Sequence, residues 1–177
     1  MSEFLFRSIT HLEMDEERYL EYILSNYGDL GLDYSFPVAL SFMHSPLLAG
    51  GGLIVFGEDS YIPVGVAGYV IGTGSNEFQD RDVCQIEIIH LLEPYRGTRL
   101  FLQLFMQLLE NLRDHEPQVQ RVQFWVKPTE PRMLRLLARM LRLPGGQCDQ
   151  RSHLALYSAP YESLWNYGQA LTRSWHR

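Results

Sequence analysis

Lysine is almost missing from this chain. Lys127 is the single lysine in 177 residues, so 14 of the 15 basic side chains are arginine. Schiff-base chemistry would have to use Lys127, which sits beside Pro128 with nothing nearby to activate it. Cysteine is scarce too. Cys84 and Cys148 have no CxxC spacing and no neighbouring histidine, which argues against a zinc site. Their sequence fits either a disulfide or two thiols, and the reduced pair of a cytoplasmic protein is the expectation. The six histidines, His11, His44, His90, His115, His153 and His176, show no HxH or HExxH spacing, so no metal is expected. There is no Gly-x-Ser-x-Gly elbow of a serine hydrolase. No apolar run approaches the ~18–20 residues of a membrane span. The start, Met1-Ser2-Glu3-Phe4, lacks the basic and apolar regions of a signal peptide. An acidic chain without Lys/Arg-rich runs is not expected to bind nucleic acid.

What is present is a globular composition, 46 % hydrophobic and 20 % charged, at a length that suits one domain. The net charge of −6 hides a split. Residues 1–80 hold 12 acids and 2 bases, a net of −10. Residues 81–177 hold 9 acids and 13 bases, a net of +4. Such asymmetry points to charged partners.

The pattern predicts strands at 4–9, 53–57, 63–72, 83–92, 121–126 and 153–158. It predicts helices at 15–30, 36–48, 97–113, 131–143 and 160–172. Pro46 is expected to break the second helix, and Gly50-Gly51-Gly52 to form a turn before a strand. A strand, not a helix, follows those glycines and no GK[ST] is present, so they do not read as a phosphate loop. The order β-α-α-β-β-β-α-β-α-β-α is a mixed α/β or α+β fold.

Residues 83–113 carry the chemical signal. An apolar strand ends at Leu92, and Glu93-Pro94-Tyr95-Arg96-Gly97 leads into an amphipathic helix with Leu100, Leu104, Leu108 and Leu112 on one stripe. A helix start presents unpaired N–H groups and a positive dipole end. With Arg96 and Arg99 beside it, that is a place for an anion such as pyrophosphate. Glu87 shares a strand face with Gln85, Ile89 and Leu91, where an acid would have a raised pKa suited to a general base. The competing reading is an edge or end position exposed to water, or a buried structural acid paired with arginine.

The string Leu91-Leu92-Glu93-Pro94-Tyr95-Arg96-Gly97-Thr98-Arg99-Leu100-Phe101, with the element order over roughly residues 50–145, resembles the GNAT superfamily of acyl-CoA-dependent N-acyltransferases. That resemblance implies a single GNAT-like domain over 1–177, with a mixed, mostly antiparallel sheet flanked by helices. Residues 1–50 would be the acceptor side, 51–146 the coenzyme A core and 147–177 a closing strand and helix. Arg96 takes the first place of the family's [QR]-x-x-G-x-[GA] motif. The fourth place is Arg99 instead of Gly, and the sixth is Phe101 instead of Gly or Ala, so the motif is degenerate. The resemblance implies acetyl-CoA as co-substrate, held by Ile89, Leu91, Leu92, Arg96, Gly97, Thr98, Arg99, Leu100, Phe101 and Thr129. It implies Glu87 as base. The helix at 131–143 has Leu136 where the family often has a tyrosine acid, which leaves Tyr157, Tyr95 or His90 as substitutes. Away from that role, His90 reads as a satisfied core or surface histidine.

The function so implied is acetyl transfer to an amine by direct attack. The acidic N-terminal half favours a cationic acceptor, a small molecule or a peptide amine. The alternative is an eroded GNAT-like module that binds acyl-CoA or a protein partner without turnover. The aromatic C-terminal strand and helix, with Trp165, Tyr167 and Trp175, fit a homodimer surface and core packing equally well.

Overall fold

The protein is described by a computed structural model over residues 4–9, 12–32, 34–57, 61–127, 131–151 and 153–174, without the side chains of 131–133. Its elements are β1 (Leu5–Ser8), α1 (Glu13–Ser25), α2 (Phe36–Ala49), β2 (Gly50–Phe56), β3 (Pro63–Ile71), β4 (Val83–Leu91), α3 (Arg99–His115), β5 (Arg121–Val126), α4 (Pro131–Met140), β6 (Gln147–Arg151), β7 (Leu154–Pro160) and α5 (Tyr161–Ser174). Among the described residues the strands hydrogen-bond in the order β1-β2-β3-β4-β5-β7-β6. β1–β2, β2–β3, β5–β7 and β6–β7 are antiparallel. The first four residues of β4, Val83–Ile86, pair in parallel with Arg121–Phe124 of β5. This is the expected α+β class with a mixed, mostly antiparallel sheet. Among the described residues no helix is long and apolar enough to cross a membrane.

The chain forms two compact units. The first is Met1–Val70 with Glu87–Asn111. In it α1 and α2 cover β2, β3 and the distal half of β4, through a core of Tyr19, Tyr22, Ile23, Met43, Ile54, Phe56, Val66 and Ile88. α1 was expected to run to Leu30 but ends at Ser25. Asn26 leaves the helical conformation, and its side-chain amide caps the Tyr22 carbonyl at 2.8 Å. A 3-10 turn at Tyr27–Asp29 follows.

Two expectations fail in this unit, for physical reasons. Pro46 lies inside α2 and is buried, without breaking it. A proline at 46 cannot donate to the carbonyl four residues earlier, that of Phe42. The Ser45 hydroxyl donates to that carbonyl instead, at 3.4 Å. The glycine run is also strand, not turn. A Cβ at Gly50 would lie 1.9 Å from the Tyr69 carbonyl oxygen, and one at Gly52 would lie 2.5 Å from that of Ala67. The glycines let β2 approach β3 closely.

The second unit is Ile71–Ile86 with Leu112–Arg177. Leu137 of α4 packs with Phe124, Val126, Ala155 and Tyr157. The Arg113 guanidinium lies 4.6 Å from the Trp165 ring centre. β6 was not expected. All five of its residues are exposed, so it has no apolar alternation to reveal it. Cys84 is buried and Cys148 exposed, and they are not bonded to each other.

Candidate active site

β4 supplies two faces. Ile88 joins the α1–α2 core, and His90 meets Tyr22 of α1. Alternation then turns Glu87 and Ile89 to the other side, and both are half-buried. Room for Leu91 comes from β3: a Cβ at Gly65 would sit 2.3 Å from Leu91 Cδ2. The Glu87 charge is felt through the sheet. Tyr19 is fully buried, and its hydroxyl has no hydrogen-bond partner among the described residues. Burial first and the Glu87 carboxylate second push its pKa far above the usual phenol range.

After Leu91 the chain makes a tight connection. The Leu92 N–H donates to Val64 O at 2.9 Å, which runs β4 antiparallel to β3 at this end. A 3-10 turn, Glu93–Tyr95, follows, with the Tyr95 ring edge-on to Phe4 at 5.7 Å. Gly97 has φ +70°, a conformation that favours glycine, so the helix expected from Gly97 begins at Arg99. Thr98 prepares that start. Its hydroxyl donates to Tyr95 O at 2.6 Å and accepts from the Leu100 N–H at 3.2 Å, as an N-cap does. Gly97, Thr98 and Arg99 are exposed, Leu100 is buried and Phe101 is half-buried. α3 has no acid in its first turn. The donor set at this helix start therefore suits an anion, and the cofactor expected from the sequence fits its charge.

Arg96 is committed inward. Its Nε donates to the Leu91 carbonyl at 2.7 Å, and its Nη2 lies 2.8 Å from His90 Nε2. The same fork grips Asp29, through Nη1 at 3.3 Å and through Nη2. The guanidinium, and after it the His90 contact, hold the Asp29 carboxyl below its ordinary range. His90 Nδ1 lies 2.8 Å from the Tyr22 hydroxyl, which also reaches Val64 O at 3.2 Å. His90 is thus the satisfied core histidine that the sequence suggested. Burial is the largest cause that lowers its pKa; Asp29 opposes this and Arg96 adds to it.

The first unit thus brings Glu87, Ile89, Leu91, Leu92, Arg96, Gly97, Thr98, Arg99, Leu100 and Phe101 onto one strand–turn–helix segment. Tyr157 belongs to the second unit, on β7 opposite Phe124 and Cys148. Burial, then a hydrogen bond with Cys148, raises its pKa, so it holds its proton. Thr129 and Trp175 lie outside the described residues. Sequence reasoning missed Tyr22 and Asp29 as partners of this turn. Sequence separations of 68 and 61 residues from His90 gave no local signal for either.

Neither a protein-family model nor a curated protein sequence matches the chain. Solved structures do. An acetyltransferase from Streptococcus agalactiae 2603 aligns with a TM-score of 0.62 at 11 % identity, over 89 % of this chain and 98 % of that one. A GNAT-family acetyltransferase from Staphylococcus aureus Mu50 aligns at 0.61 and 10 % identity, over 89 % and 99 %. This is the GNAT acetyltransferase fold. Arabidopsis thaliana NAA60, solved with a bisubstrate analogue, aligns at 0.61 and 17 % identity, over 90 % and 97 %.

Proposed function

We propose that the protein is an acetyl-CoA-dependent N-acetyltransferase that acts by direct attack of an amine. The observation that carries this reading is the β4–α3 segment. Within a GNAT fold it combines an exposed helix start free of acids with a half-buried Glu87 upstream on the same strand. The N–H groups at the start of α3, with Gly97, Thr98 and Arg99 around them, would hold the cofactor pyrophosphate. Ile89, Leu91 and Leu92 would line its pantetheine arm, and a backbone N–H near Leu91 would polarise the carbonyl. Acetyl-CoA, when bound, supplies the acetyl thioester. Glu87 takes a proton from the acceptor ammonium so that the nitrogen lone pair can attack. Residues 1–80 carry a net charge of −10, so a cationic amine is the favoured acceptor. A cytoplasmic location accords with the unbonded cysteines.

A thiol-release assay with acetyl-CoA across a panel of amines tests this. Glu87→Gln is expected to lower kcat by about 10²–10⁴-fold, the usual worth of a general base. An active wild type with an unchanged variant removes Glu87 from the mechanism. A second reading, binding without turnover, is favoured by Leu136 where the family often has its tyrosine acid. Calorimetric binding of acetyl-CoA with no thiol release from any amine would select it.

A further inference from the structure

Two parts of the surface carry charge stripes of opposite sign. On α1, Glu13, Glu17 and Glu21 are exposed at four-residue spacing, so they share one face. α2 packs beside α1 and contains no charged residue. It exposes Phe36, Leu40, His44 and Leu48 at the same spacing, with Phe36 53 % and Leu48 74 % accessible. The α1–α2 pair therefore exposes an acidic stripe on one helix and an apolar stripe on the other. A partner that fits it must be amphipathic and basic.

The chain itself contains such an element. α4 combines arginines with no acidic residue. It exposes Arg135 and Arg139, and the turn that follows exposes Arg142. Leu134 and Leu141 beside them are 42 % and 40 % exposed. None of the three glutamates or three arginines makes an ion pair among the described residues. At ~1.5 Å per residue the acidic stripe on α1 spans ~12 Å, and Arg142 in the turn after α4 extends the basic set beyond Arg135 and Arg139.

We propose that the α1–α2 face of one copy of this chain docks the α4 face of a second copy. The three glutamates oppose the three arginines, while Phe36, Leu40 and Leu48 cover Leu134 and Leu141. An ordinary solvated charge face explains the ions alone, but not the exposed Phe36, Leu40 and Leu48 of α2 or the exposed Leu134 and Leu141 beside the arginines. The contact is heterologous, and a two-fold pair would use it twice. It gives the −10 and +4 halves of the sequence a shared role, and it does not depend on the catalytic reading.

Sedimentation equilibrium of the full chain at low and high salt tests the contact. The expected result is reversible association that weakens at least tenfold between about 0.05 and 0.5 M salt, because exposed pairs are screened. Glu17→Arg and Arg139→Glu should each weaken it at least tenfold, and the double variant should recover most of the loss. A chain that stays monomeric at concentrations on the order of 100 µM overturns the proposal. So does association indifferent to both reversals. A synthetic basic amphipathic peptide that binds in a Glu17-dependent way, with no self-association of the chain, would make the occupant another protein and would also overturn it.

Discussion

The two ends of the β4–α3 connection differ in how they spend their arginines. At the Leu92–Arg96 end the guanidinium is used up by the protein: Leu91 O, His90 and Asp29 all hold it. At the Gly97–Phe101 end, Arg99 opens a helix and is exposed beside a glycine and a threonine. Both residues looked alike as anion ligands in the sequence. Their environments differ: Arg96 is held by three groups of the protein, whereas Arg99 is exposed at the helix start that is proposed to meet the cofactor.

The sharpest break of that comparison is Arg96→Ala. The substitution strips a donor from the buried Leu91 carbonyl and from His90 Nε2. A buried acceptor left unpaired costs ~1–3 kcal/mol, so the loss should be about 2–4 kcal/mol, read as a lower urea midpoint with an unchanged slope. Arg96→Lys should not restore it, because one ammonium cannot reproduce a fork that meets three partners. An unaltered midpoint would mean that the network does not hold the turn.

Arg99→Ala should do the reverse. Coenzyme A affinity is expected to fall about tenfold, ~1.4 kcal/mol, the scale of one charge-assisted contact. The urea midpoint should move less than it does in Arg96→Ala, because Arg99 is exposed. Calorimetry and unfolding on the same two variants decide it. If Arg99→Ala unfolds the protein while Arg96→Ala weakens only the ligand, the two assignments are exchanged.

The difference between these arginines was not legible in the sequence, although much else was. The strand–turn–helix at 83–113 announced itself through local pattern: an apolar run, a proline turn and a leucine stripe. Element order followed from the same signals, with the exposed β6 as its omission. Pro46 and the three glycines misled because their roles depend on Ser45 in the next position and on Tyr69 and Ala67 across the sheet. Asp29 lies in a 3-10 turn between two helices, 67 residues from Arg96, and its charge had no local partner to betray it. Local periodicity reveals elements, whereas pairing across folded chain emerges only when the elements pack.

The smallest expected effect tests the same network by its protons. In the Nδ1–H tautomer His90 Nε2 accepts from Arg96 Nη2 at 2.8 Å, and Asp29 Oδ2, 3.3 Å from the same nitrogen, is held by Arg96; His90 can donate to that carboxylate only with a proton on Nε2. Nδ1–H then donates to the Tyr22 oxygen, and the Tyr22 hydroxyl passes its own proton toward Val64 O. That neutral tautomer satisfies every donor, and a second proton on His90 would meet both the Arg96 charge and the Asp29 carboxylate. The folded pKa is therefore lowered, chiefly by burial. As pH falls below the unfolded value of ~6.5, the unfolded chain takes up the proton first. His90 thus contributes stability that is full above ~6.5 and drains away as pH falls toward its folded pKa, at no more than ~1.4 kcal/mol per pH unit. Asp29 acts in the same sense in a lower window, since its carboxyl is also depressed and its contribution is lost only as pH falls below the ordinary carboxylate range. His90→Gln should lower stability at pH 7, yet flatten the stability profile just below about pH 6.5 while leaving the lower Asp29 window in place. A variant whose profile keeps the wild-type slope in the upper window would show that another group carries it, and that the inward end of the turn is held without a proton-sensitive histidine.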